Sequence, residues 1–162
     1  DGCALELSVL DNLVSVVHKK FQRKGMLNKP QTVQYTETAI EEFKVKTTNC
    51  YQKIGALSGG NIQKAIVARE FKTGADILLI NQPTRGVDVG SMELIHKKLL
   101  DMRNAGKAVL LVSADLTELL GLSDRIVVFY KGRITGEFTD IANTREEDLG
   151  LYMLGIKKEK GE

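Results

Sequence analysis

The second half of the sequence alternates short, uninterrupted apolar runs with segments of helical periodicity. The apolar runs, at 77–80, 109–112 and 126–130, are typical of strands, and the first two are expected to be buried on both faces. The segments between them, 91–105 and 116–120, have the spacing of amphipathic helices, with Gly106 placed just after the first. This order predicts an α/β fold with a mostly parallel sheet and right-handed crossovers.

The chain is predicted to end in a hairpin and a helix. Lys131 and Gly132 indicate a turn, so a strand at 134–138 is expected to pair back onto 126–130. A helix is expected at 145–154, and the last six residues are expected to be frayed.

The first 55 residues have helical rather than strand patterns. A helix is predicted over 8–24, starting at a Ser8–Asp11 capping box and stopped by Gly25, and a second over 32–46. No GxxxxGK[ST] phosphate loop occurs, so the sheet is predicted to lack the strand and loop that open a complete nucleotide-binding domain.

Composition excludes several classes of protein. The 162 residues are 43% apolar and 27% charged, which is typical of a globular domain and not of a disordered chain. A net charge of +2 gives no electrostatic case for nucleic acid or an anionic membrane surface, and no run approaches the roughly 20 apolar residues of a membrane span. Cys3 and Cys50 lie far apart with no ligand cluster around them, so we expect no metal site and two free thiols.

One short motif has the chemistry of an anion site. Ser58, Gly59, Gly60 and Asn61 precede a helical run at 62–71. Two glycines at a helix start let a ligand approach N–H groups that have no partner within the helix, and the helix dipole favours negative charge there. Taken alone, the motif is better explained by a serine N-cap followed by a flexible turn.

Three segments together resemble ATP-binding cassette (ABC) ATPases. LSGGNIQK at 57–64 is similar to the family's signature motif, in the variant found in sugar and nucleoside importers. ADILLINQPTRGVD at 75–88 resembles the Walker B strand and D-loop, and VLLVSADLTELLGLSDR at 109–125 resembles the switch segment. The resemblance implies a partial P-loop NTPase fold. Its expected parts are a helical subdomain at 1–56, the signature helix and α/β core at 57–140, and a C-terminal helix and tail at 141–162.

The resemblance also implies a degenerate catalytic half-site. Asn81 and Gln82 stand where the family has the Asp that holds Mg²⁺ and the Glu that polarises water, and Ala114 stands at the switch His. No intact catalytic residue is therefore expected in this chain.

In the family, each ATP lies between the phosphate loop of one cassette and the signature of another. The resemblance implies that Ser58, Gly59, Gly60, Asn61 and Gln63 bind ATP held by a partner cassette, with Mg²⁺, and that Asp88 lies at the cassette interface. From its local sequence, Asp88 is equally expected to cap the helix that follows it, and the two roles are compatible. We interpret the chain as the C-terminal part of the second cassette of a fused importer subunit. The parent is expected to be an ATPase and this chain alone inactive.

The implied partners are a second cassette, permease subunits and, indirectly, a solute-binding protein, at the cytoplasmic membrane face. Exposed Met26 and Leu27 are candidates for permease docking. Two alternatives stay open: a regulatory or scaffolding cassette-like module without ATP hydrolysis, and a plain phosphate-binding module.

Overall fold

The computed structural model describes residues 2–157, so all but the first residue of the predicted frayed end at 157–162 lies outside the described residues. The backbone forms two compact units, one of residues 2–78 and 83–110 and the other of residues 79–82 and 111–157. Within 2–157, no helix is long and apolar enough to cross a membrane.

The first unit is mainly helical. Its elements are α1 (Val9–Val14), a 3₁₀ turn (His18–Phe21), β1 (Gln22–Arg23), β2 (Met26–Leu27), α2 (Lys29–Glu42), a 3₁₀ turn (Ile54–Ala56), α3 (Gly59–Phe71) and α4 (Val89–Asn104). Helices α1, α2 and α3 pack on one another around the buried side chains of Val9, Leu13, Ala39, Phe43 and Ala68. Phe43 also meets Phe71 edge to face, with the ring centroids 5.8 Å apart.

The predicted helix over 8–24 is wrong beyond its first turns. The Ser8–Asp11 capping box is present, with Asp11 N–H donating to Ser8 Oγ at 3.0 Å, but the helix ends at Val14. Ser15 Oγ donates to the Asn12 carbonyl at 2.8 Å, and the β-branched Val16 and Val17 have low helix propensity. The chain then makes the 3₁₀ turn and a small antiparallel hairpin that the helical pattern did not indicate.

The long helices α2, α3 and α4 all begin two or three residues before their predicted starts, α3 at Gly59 rather than at 62. For α2 and α4 the reason is an upstream side-chain cap. Asn28 accepts from Gln31 N–H at 3.3 Å and starts α2 at Lys29. That helix ends at Glu42, before Lys44 adopts a φ of +50°. Asp88 starts α4 at Val89, and Gly106, with φ +81°, follows its end as predicted.

Two of the predicted strands are β3 (Ile77–Asn81) and β4 (Ala108–Val112), which pair with each other. Ala108 N–H donates to Asp76 O and Gln82 N–H donates to Val112 O, the order of a parallel pair. The prediction that both strands are buried on both faces is wrong. Ile77 and Leu79 are 74% and 70% exposed, whereas Leu78 and Ile80 are buried. The residues described here cover only one face of the pair.

The second unit contains α5 (Leu116–Leu122), β5 (Ile126–Tyr130), β6 (Arg133–Phe138), a 3₁₀ turn (Ile141–Asn143) and α6 (Glu146–Met153). The predicted hairpin is confirmed: β5 and β6 pair antiparallel across Lys131 and Gly132, with a register shift between Val128 and Phe129. Leu149 of α6 packs on Ile126 and Val128 to form the core of this unit. Among the described residues β5 pairs only with β6, so it does not extend the parallel pair.

Candidate functional site

The N-terminus of α3 carries the predicted anion site. Ser58 has an extended backbone (φ −64°, ψ 153°), and its carbonyl accepts from the N–H groups of Asn61 and Ile62. Its side chain makes no N-cap hydrogen bond. Because the first N–H groups of a helix have no partner within it, those of Gly59 and Gly60 are left to bind an acceptor from outside α3. A Cβ added at Gly59 would meet nothing within 4 Å, so this side of the helix start is open.

Asn61 holds the Ser58 hydroxyl in place. Its Nδ2 donates to Ser58 Oγ at 2.9 Å, while its Oδ1 accepts from Lys46 N–H at 2.8 Å. Since Ser58 Oγ accepts from Asn61, the hydroxyl hydrogen is free to donate elsewhere. Asn61 therefore positions Ser58, and both polar ends of its side chain are already engaged within the chain.

The segment 83–88 lies directly against α3. Gln63 Nε2 donates to the Pro83 carbonyl at 3.2 Å. A Cβ on Gly60 would lie 3.2 Å from the Gly86 carbonyl oxygen and 3.7 Å from Val87 Cα, which is tighter than an ordinary contact. Gly86 itself has a φ of +74°, a conformation that favours glycine. Glycine at position 60 thus allows two stretches of backbone to approach closely, whereas glycine at position 86 allows the positive φ of the turn.

Asp88 caps α4, which is one of the two roles predicted for it. It accepts from Ser91 N–H at 3.0 Å and from Ser91 Oγ at 2.7 Å. These two bonds hold the pKa of the Asp88 carboxyl below its ordinary value, and the bond from the Ser91 hydroxyl has the larger effect. The Lys64 ammonium acts in the same direction.

Lys64 fixes α3 to the turn before it. Its ammonium is buried and donates to the Lys44 carbonyl at 2.8 Å. Burial lowers the pKa of Lys64, although the Asp88 carboxylate opposes that change. Lys64 thus holds α3 in place from within the unit.

The predicted degenerate half-site lies in the second unit. Asn81 is the last residue of β3, and Gln82 follows it with a φ of +50°, which is uncommon for a residue other than glycine. Gln82 N–H donates to the Val112 carbonyl at 2.8 Å, which places the residue at the carboxyl ends of β3 and β4. Neither side chain has the negative charge that attracts Mg²⁺, and an amide is not basic enough to act as a general base.

Ala114 lies two residues beyond β4 and is exposed. It is flanked by Ser113, whose Oγ accepts from Asp115 N–H at 3.0 Å, and by Asp115, which caps α5 through Glu118 N–H. An alanine methyl group offers no hydrogen bond to a phosphate. Within 2–157, no three His, Cys, Asp or Glu side chains come close enough to hold a metal ion.

The structure therefore brings Ser58, Gly60, Asn61 and Gln63 together with the segment 83–88, and it places Asn81, Gln82 and Ala114 at the ends of β3 and β4. Sequence reasoning missed the groups that position this site: the Lys46 N–H and the carbonyls of Lys44, Pro83 and Gly86. Backbone groups are common to all residue types, so no sequence signal could have identified them.

No protein-family model matches the chain. Curated relatives do. The chain is 43% identical to the guanosine import ATP-binding protein NupO of Bacillus subtilis, over 99% of this chain and 32% of that protein. It is 41% identical to the nucleoside import ATP-binding protein NupA of Lactococcus lactis and to the ribose import ATP-binding protein RbsA of Clostridium perfringens, in each case over 96% of this chain and 31% of the relative. The chain thus spans about a third of the length of these relatives.

Solved structures show the fold. A dimeric ATP-binding cassette in a post-hydrolysis state with ADP and phosphate matches with a TM-score of 0.73 at 22% identity, over 85% of this chain and 58% of that chain. The ATP-binding subunit of an ABC transporter matches with a TM-score of 0.74 at 16% identity, over 93% and 64%. The predicted fold class, part of an ABC ATPase fold of the P-loop NTPase type, is confirmed.

Proposed function

We propose that this chain, a relative of nucleoside and sugar import ATP-binding proteins with part of the ABC ATPase fold, supplies the signature side of an ATP site completed by a second cassette. The observation that carries the proposal is the helix start at Ser58–Gly60, where the hydroxyl is held by Asn61 and does not cap its own helix.

The residues present fit a phosphate group. The N–H groups of Gly59 and Gly60 and the Ser58 hydroxyl are three donors at the positive end of a 13-residue helix, and the approach at Gly59 is open. ATP held by the partner cassette would supply the phosphoryl group. The donors of this chain would then stabilise negative charge that builds on its oxygens during hydrolysis. Asn61 and Gln63 act in this proposal by positioning, because their side chains bond within the unit.

The half-site at the end of β3 is proposed to be inactive. Asn81 and Gln82 are neutral at every ordinary pH, so neither attracts Mg²⁺ as a carboxylate does nor accepts a proton from water. Ala114 adds no phosphate contact. On this proposal the parent protein hydrolyses ATP at one site, and the present chain does not hydrolyse it alone.

The names of the relatives support the setting. We propose that the parent subunit drives import of a nucleoside or simple sugar, with permease subunits and indirectly a solute-binding protein as partners. Its place would be the cytoplasmic face of the membrane, bound peripherally. Within this chain, 1–56, 57–140 and 141–162 remain the proposed helical, core and C-terminal parts, and Asp88 is proposed to contact the partner cassette as well as cap α4.

Ser58→Ala and Asn61→Ala test the proposed site in the intact two-cassette protein. Each is expected to lower kcat for ATP hydrolysis about ten-fold, because one hydrogen bond to a charged group contributes about 1.5 kcal/mol or more. If Asn61 acts through Ser58, the double variant should be no slower than Ser58→Ala alone. If the double variant shows the product of the two single losses in kcat, Asn61 does not act through Ser58. Normal rates in both single variants would contradict the proposed function.

Restoring single carboxylates should not revive the second half-site. Asn81→Asp or Gln82→Glu returns one group, while Ala114 leaves the switch position empty, and catalytic groups that act as a unit do not add. The expected steady-state ATPase rate of either single variant in the intact protein is close to that of the wild type. A several-fold gain would show that the half-site is only lightly impaired.

A further inference from the structure

The small net charge of the chain hides a strongly basic segment. Residues 12–36 contain five basic residues (Lys19, Lys20, Arg23, Lys24 and Lys29) and no acidic ones, which leaves 18 basic against 21 acidic residues in the rest of the chain. All five are exposed. In the part of the chain that the structure describes, Lys19, Arg23, Lys24 and Lys29 have no carboxylate partner. Among the described residues, no carboxylate neutralises the positive charge that these four side chains present to solvent.

These residues surround the β1–β2 hairpin, whose tip projects into solvent. Lys24 (φ +51°) and Gly25 (φ +81°) form its turn, and a Cβ at Gly25 would meet nothing within 4 Å. Arg23 pairs with Met26 across the hairpin, and Met26 and Leu27 are 74% and 47% exposed. The tip thus presents apolar side chains directly beside cations.

The base of the hairpin is fixed. Asn28 N–H donates to Phe21 O at 2.8 Å, and the rings of Phe21 and Tyr35 lie 5.1 Å apart. Lys20 Nζ donates to Thr73 O at 2.8 Å, which ties the preceding 3₁₀ turn to the turn that follows α3. A rigid base with an exposed tip allows the hairpin to meet a surface without losing contacts in its own unit.

We propose that this hairpin rests on the anionic lipid surface of the membrane. Cations around an exposed methionine and leucine fit headgroup phosphates and the boundary of the acyl chains beneath them. Arg23 and Lys24 lie in the hairpin, and Lys19 and Lys29 lie on either side of it, a spread of cations that suits a diffuse charged surface. The setting at a membrane rests on the proposed function, but binding to lipid is measured without ATP or permease.

Flotation of the full chain with vesicles tests the proposal. We expect binding to vesicles of about one part phosphatidylglycerol to two parts phosphatidylcholine, and little binding to phosphatidylcholine alone. Raising the salt from about 0.1 M to about 1 M should release the chain, because the screening length falls from about 10 Å to about 3 Å.

The chain contains its own matched control. Lys131 (φ +48°) and Gly132 (φ +75°) form a second hairpin turn with the same backbone, flanked by Arg133. Arg23→Gln/Lys24→Asn should weaken binding roughly ten- to thirty-fold, since each cation near the surface contributes a factor of about five. Asn is well tolerated at a positive φ, so the turn is kept. Lys131→Asn/Arg133→Gln removes the same charge at the other hairpin and should leave binding unchanged.

Three results would overturn the lipid assignment: no binding to anionic vesicles, equal losses in both double variants, or tighter retention on polyglutamate than on the vesicles. The last would assign the hairpin to an acidic protein surface. None of them affects the ATPase measurements on Ser58 and Asn61, so failure of this inference and failure of the proposed function are distinguishable.

Discussion

Gly60→Asp in the intact two-cassette protein is expected to slow ATP hydrolysis on the order of one hundred-fold, a barrier increase of two to three kcal/mol. The substitution places a carboxylate on the first turn of α3, beside the donors that would meet a phosphate, so two anions repel each other. Its Cβ would also lie 3.2 Å from the Gly86 carbonyl, which requires segment 83–88 to move by a few tenths of an ångström.

Gly60→Asn separates charge from size. Asn has nearly the same shape as Asp and makes the same contact with Gly86, so its loss of activity measures the steric effect alone. We expect it to retain several times the activity of Gly60→Asp. Both variants should fold, as judged by circular dichroism, because Asp and Asn are compatible with the first turn of a helix. Near-normal hydrolysis by a folded Gly60→Asp protein would show that the motif only starts a helix and has no role in hydrolysis.

Gly136→Ala is expected to destabilise the second unit by about 2–3 kcal/mol, at the upper end of the cost of overpacking. An added Cβ on β6 would lie 2.5 Å from Cδ1 and 2.9 Å from Cε1 of Tyr152. That ring is held by an edge-to-face contact with Phe138, with centroids 5.2 Å apart. The Tyr152 carbonyl also accepts from Thr135 Oγ1 at 3.1 Å, so α6 cannot shift freely away from β6.

Gly150→Ala is the matched control, because Gly150 lies on α6, the helix that carries Tyr152. A Cβ there would meet nothing within 4 Å, and replacing a glycine inside a helix stabilises it by about 0.5–1 kcal/mol. Urea unfolding of both variants should therefore give midpoints that move in opposite directions. A Gly136→Ala protein as stable as the wild type would show that Tyr152 does not pack against β6.

Local signals predicted much of this fold. The Ser8–Asp11 box, the Gly106 stop and the Lys131–Gly132 turn depend on the chemistry of adjacent residues, and each is present. The first helix is predicted too long because the apolar spacing continues to Phe21. The helix ends earlier because the Ser15 side chain bonds to the backbone and β-branched residues follow it. Helix periodicity alone does not show such competition.

Burial depends on what covers a strand, and that is not local. The run at 77–80 is as apolar as a strand buried on both faces, yet Ile77 and Leu79 are exposed in this chain. At the candidate site, the sequence identified the residue types, whereas the engagement of Asn61 with Ser58 and Lys46 required coordinates. The roles assigned to Ser58, Gly60, Asp88, Asn81, Gln82 and Ala114 in ATP hydrolysis remain predictions.

The most direct test of the central claim is labelling of Ser58→Cys by an ATP analogue that carries a thiol-reactive group on its γ-phosphate. Cys3 is partly exposed and would be replaced by serine, while Cys50 is buried. If the signature acts on ATP held by another cassette, Cys at position 58 should be labelled in the intact two-cassette protein and not in this chain alone, which has no phosphate loop of its own. Equal labelling of the isolated chain, or none in the intact protein, would contradict the account.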